Sequence, residues 1–129
     1  MATTRETQQG QDRKGRSGGH VANHWIAVRL NSLALLALYT WLMTALFLLP
    51  DLSFAGVRGW LRHPLNSVLM ILLIGVSFWH SKDGLMEVID DYVHQPVARA
   101  ISIAALYTFI VGGALFGIWA VARIALLSV

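Results

Sequence analysis

Residues 30–49, LNSLALLALYTWLMTALFLL, carry no formal charge over twenty positions. A helix of that length, at ~1.5 Å per residue, reaches across the ~30 Å hydrocarbon layer of a bilayer, where a backbone must satisfy its own hydrogen bonds. Two further runs share this character. One follows Pro64 and continues through LNSVLMILLIGVSFW to His80; the other follows Pro96 as VARAISIAALYTFIVGGALFGIWAVARIALLSV. The pattern predicts an all-α integral membrane bundle of three transmembrane helices, with spans at about 30–49, 65–81 and 97–127.

Composition agrees, since 56% apolar and 13% charged residues in a chain of 129 lie outside the balance of soluble domains. The absence of cysteine excludes disulfides, iron–sulfur ligation and thiolate catalysis within this chain. The net charge of +3 does not point to nucleic acid, because five of the ten basic residues (Arg5, Arg13, Lys14, Arg16, Arg29) precede the first apolar run. Their placement is a topology signal. With Lys82 and Arg99 they put seven basic residues on one side of the membrane, against Arg58, Arg62 and Arg123 on the other, which predicts a cytoplasmic N-terminus and a periplasmic C-terminus. Lipid is the expected partner.

Residues 1–22 are polar and glycine-rich and read as a flexible cytoplasmic tail, with residues 23–129 forming the anchor domain. The tail is too polar for a signal peptide and no small-residue cleavage site follows the first span, so an uncleaved anchor is expected. Trp25, Trp60, Trp79 and Trp119 fall near the expected interfaces, as do Tyr39 and Tyr107. Arg99 and Arg123 stand near the ends of the third span, where they can snorkel. Gly112, Gly113 and Gly117 form a small-residue strip that either permits close helix contact or reflects the ordinary tolerance of membrane helices for glycine.

The second connection, residues 81–95, reads SKDGLMEVIDDYVHQ and concentrates Asp83, Glu87, Asp90 and Asp91, four of the seven acidic residues, beside the membrane. Leu85, Val88, Ile89, Tyr92 and Val93 recur at helical spacing, predicting a short amphipathic interfacial helix. For Glu87 and Asp90 a solvated polar face is the simpler reading. His80 is different. A titratable side chain after fifteen apolar residues must pair, ligate or face a polar cavity. Ser77 and Gly84 share its face, leaving room for a flat macrocycle with the imidazole as one axial ligand. No second buried histidine faces it: His20, His24, His63 and His94 all sit at edges, so a second ligand would come from another chain.

The string HSKDGLMEVIDDYV, residues 80–93, resembles the signature of the small hydrophobic membrane anchor of succinate dehydrogenase (respiratory complex II), its cytochrome b small subunit. That pattern is His, Gly four residues on, then Asp-Tyr at eleven and twelve; here these are His80, Gly84, Asp91 and Tyr92. The motif covers about fourteen residues, and the three-span topology agrees with it. The resemblance implies that His80 is an axial ligand of a haem b shared with the larger cytochrome b anchor subunit, with Gly84 packing against the haem. It implies that Tyr92 hydrogen-bonds a carbonyl oxygen of ubiquinone and that Asp91 supports the polar site. FAD and iron–sulfur clusters would lie in partner flavoprotein and iron–sulfur subunits, at a bacterial inner membrane. His94 and the tail match no role in this pattern.

A phenol suits that task on chemical grounds, since a quinone oxygen gaining negative charge is best stabilised by a fixed donor in a poorly hydrated pocket. Twelve helical residues would separate His80 from Tyr92 by roughly 18 Å, so a bend at Lys82–Gly84 is expected, glycine tolerating the required dihedrals. This chain would not oxidise succinate itself. The alternatives are a fumarate reductase anchor, the same architecture run in reverse, and a small non-redox transport or assembly subunit in which His80 relays a proton.

Overall fold

The computed structural model describes residues 2–127, apart from the side chains of residues 2–18, 20 and 21. The side chains of Arg5, Arg13, Lys14 and Arg16, whose charges enter the expected topology, and that of His20 lie outside the described residues. Four helices follow in order: α1 (Ala2–Leu48), α2 (Phe54–Leu61), α3 (Pro64–Tyr92) and α4 (Pro96–Leu126). Three are long and apolar enough to cross a membrane, over Ala22–Leu48, Pro64–Tyr92 and Pro96–Leu126. The backbone of α1 thus takes in the polar stretch that precedes the apolar run.

The chain divides into two compact units, Met1–Leu33 and Ala34–Val129. In the first, the Arg29 guanidinium stacks 4.0 Å above the Trp25 ring one helical turn away, an arrangement suited to a membrane interface. The Ser32 hydroxyl donates back to the Val28 carbonyl at 3.0 Å, so it exposes no unpaired polar group.

In the second unit, Leu35, Leu38 and Leu42 pack against Leu69, Met70, Leu73 and Val76 of α3. The Tyr39 hydroxyl also lies 3.1 Å from the Ser77 hydroxyl, within hydrogen-bond distance. Pro64 and Pro96 open α3 and α4, where a missing N–H costs nothing and the fixed φ is already helical. The α3–α4 contact runs through glycine. A Cβ on Gly113 would collide with the Phe78 ring, and one on Gly117 would press on Ile74, whereas Gly112 has nothing within 4 Å. Two of the three glycines of the strip therefore set the close approach.

The short α2 was not anticipated. Ser53 caps it by accepting from the Gly56 N–H at 3.2 Å, and Asp51 accepts from both the Ser53 hydroxyl at 2.5 Å and the Ser53 N–H at 2.8 Å. These bonds, the hydroxyl first, hold the Asp51 carboxyl below its ordinary pKa of 3.8. At the far end, Asn66 donates to the Trp60 carbonyl at 2.9 Å and the buried Ser67 hydroxyl donates to that of Leu61. Both bonds satisfy carbonyls that the end of α2 would leave open. Trp60 also stacks on Trp41, ring centres 5.5 Å apart.

Candidate functional site at the end of the second span

The helix α3 is continuous for 29 residues from Pro64 to Tyr92, which corrects two expectations. No bend occurs at Lys82–Gly84, and no described residue has positive φ. Residues 81–92 are not a separate surface helix; the connection to α4 is only Val93–Gln95. The physical reason is that charge does not interrupt backbone hydrogen bonding. Gly84 costs a helix only about 1 kcal/mol, and nothing else breaks the pattern until Pro96 forces the preceding residue out of helical geometry. At roughly 43 Å, α3 exceeds the ~30 Å hydrocarbon layer, so its charged end projects beyond it.

Ile74 and Phe78 turn toward α4, while Leu73 packs against Leu35 and Leu38 of α1. At 100° per residue His80 continues the Leu73 face, with Ser77 below it and Gly84 and Asp91 above. His80 is half-buried, and among the described residues its ring makes no hydrogen bond. A Cβ on Gly84 would have nothing within 4 Å. An imidazole without a hydrogen-bond partner beside an open stretch of helix is a donor that would suit a haem iron. No cluster of three metal-ligating side chains occurs among the described residues, and an axial histidine needs none.

Tyr92 closes α3 and is 80% exposed; Asp91 beside it is exposed as well. His80 and Tyr92 are not brought together, standing roughly 18 Å apart along the axis and about 120° apart around it. Asp90, on an exposed face as its surroundings in the sequence suggest, pairs with the exposed Arg99 at 2.6 Å, tying the last turn of α3 to the first of α4. Lys82 lies 4.2 Å above the Trp79 ring and 3.0 Å from Asp83. The Trp-x-x-Lys spacing is visible in the sequence; the Asp90–Arg99 pair is not, because it depends on a three-residue connection.

Curated proteins described as succinate dehydrogenase hydrophobic membrane anchor subunits, from Rickettsia typhi and Rickettsia prowazekii, are each 27% identical over 79 residues. The match covers 61% of this chain and 61% of each relative's length. No solved structure matches the chain. A family profile described as "Succinate dehydrogenase/Fumarate reductase transmembrane subunit" matches residues 5–124, nearly the whole sequence and all three apolar helices. This multi-pass membrane protein belongs to the family of succinate dehydrogenase and fumarate reductase transmembrane subunits.

Proposed function

We propose that this chain is the small membrane anchor subunit of a succinate:ubiquinone oxidoreductase in a bacterial inner membrane. In this reading His80 is one axial ligand of a shared haem b, and Tyr92 faces the ubiquinone-reduction site. The observation that carries it is the family match over residues 5–124, within which His80, Gly84, Asp91 and Tyr92 keep their intervals on one unbroken helix. The N-terminus and the α3–α4 turn lie on the cytoplasmic side, by the distribution of Lys and Arg.

Each residue has a separate task. His80 presents an imidazole nitrogen at the hydrocarbon edge, and Gly84 leaves the adjacent surface open. A b-type haem, when bound, would supply a one-electron relay and would be held by His80 together with the larger cytochrome b anchor subunit. Tyr92 stands beyond the hydrocarbon, where its phenol O–H donates to the quinone carbonyl and strengthens as negative charge develops there. Asp91 keeps the neighbourhood polar. The flavoprotein subunit brings FAD, and the iron–sulfur subunit brings the clusters, for which this chain has no cysteine ligands. The same anchor serves a fumarate reductase, and quinone potential sets the direction.

The test is purification of the complex in detergent, with a reduced-minus-oxidised spectrum and a subunit gel. A b-type band with co-purifying dehydrogenase subunits is expected. A pigment-free chain purifying without them would overturn the reading and favour a transport or assembly role.

A further inference from the structure

Away from His80, at the end of the bundle where α2 and the C-terminus of α4 meet, an open cavity of about 380 Å³ is lined by Phe54, Arg58, Trp119, Arg123, Ile124 and Leu127. Two guanidinium groups are set into otherwise apolar and aromatic walls. Arg123 lies over the Trp119 ring, 5.4 Å from its centre, which orients it without neutralising it. Among the described residues neither Arg58 nor Arg123 has a carboxylate within 4 Å. The nearest acid along the chain, Asp51, is committed to Ser53.

The position narrows the occupant. The groove opens at the end of a membrane-spanning helix, beside a tryptophan of the interfacial belt, at headgroup depth. Toward the membrane interior the exposed ring of Phe116, 6.1 Å from Trp119, continues the apolar surface. A ligand that satisfies both parts carries negative charge at one end and hydrocarbon at the other. Phosphate oxygens accept from guanidinium in fixed geometry, while acyl chains cover Phe116 and Ile124. We infer that this groove is a binding site for an anionic phospholipid, its phosphate held between Arg58 and Arg123 on the side of the membrane opposite His80.

The full chain, reconstituted in phosphatidylcholine vesicles containing a minor fraction of phosphatidylglycerol, tests this. Bromine on the acyl chains of one lipid or the other quenches nearby tryptophan, and the Trp119 component is the difference between the native chain and Trp119→Phe. Brominated phosphatidylglycerol should quench that component more than brominated phosphatidylcholine at equal content, each guanidinium contributing roughly a fivefold preference. The pair Arg58→Gln and Arg123→Gln should abolish the preference, whereas Arg58→Lys and Arg123→Lys should keep most of it. Equal quenching by the two lipids in the native chain would overturn the inference, as would a preference that survives in the glutamine pair. Loss of the preference on adding inorganic phosphate would identify a free-phosphate site instead. Failure of both lipids to quench Trp119 would likewise overturn the inference, since the groove would then be closed to lipid.

Discussion

The Phe78 ring occupies the space that any side chain at Gly113 would need, a Cβ there falling 2.6 Å from the ring. Helix–helix contact in lipid gains little from hydrophobicity, so close fit of this kind carries much of the association. Gly113→Ala should destabilise the α3–α4 pair by about 1–3 kcal/mol, while Gly112→Ala, with open space around it, should have little effect. Thermal unfolding of the chain in detergent, followed by tryptophan emission, checks this. Equal midpoints for the two variants would refute the packing assignment. Adding Phe78→Leu to Gly113→Ala should restore part of the loss, as expected for coupled neighbours.

His80 and Gly84 make a second, separable prediction. His80→Ala should remove most of the b-type absorbance from the purified complex. Gly84→Leu fills space that nothing in this chain occupies and improves helix propensity, so it should leave the unfolding midpoint no lower while lowering haem content. A normal spectrum and stoichiometry in both variants would exclude His80 as the ligand.

Tyr92→Phe removes one donor from an exposed helix end without touching the bundle. Succinate-to-quinone turnover should fall on the order of tenfold or more, with succinate oxidation by an artificial dye acceptor nearly intact. Equal loss in the two assays would indicate an assembly defect rather than a quinone contact.

The cap of α2 titrates. Because its Ser53 bonds lower the Asp51 pKa below 3.8 in the folded chain, their contribution is present at neutral pH and is lost as pH falls through that lowered value. Ser53→Ala should raise the Asp51 pKa toward the ordinary carboxylate value, read by carbon-detected NMR of the carboxyl group. An unshifted titration would show that Ser53 does not hold it.

Much of this architecture is legible in the residues alone. Charge-free runs locate the three spans, and Pro64 and Pro96 fix the starts of α3 and α4. The acidic cluster misleads, because hydropathy marks where lipid ends, not where a helix ends. With only Gly84 to weaken it, the helix carries its charges to Tyr92. The overlooked α2 has its own signal in Asp51 and Ser53, a capping serine three residues before Gly56. The glycines illustrate a finer limit. Gly113 and Gly117 are four apart and share a face that Gly112 does not, but only the position of α3 reveals that theirs is the face in contact.

An uninterrupted helix also behaves as a measuring rod. Between His80 and Tyr92 no flexible joint absorbs a change in length, so one inserted residue would lift the tyrosine by roughly 1.5 Å and swing it by about 100°. Even a whole inserted heptad, which nearly restores the azimuth, would raise the phenol by about 10 Å. Height above the membrane and compass bearing are locked to each other by α3, and only a small set of intervals can keep both.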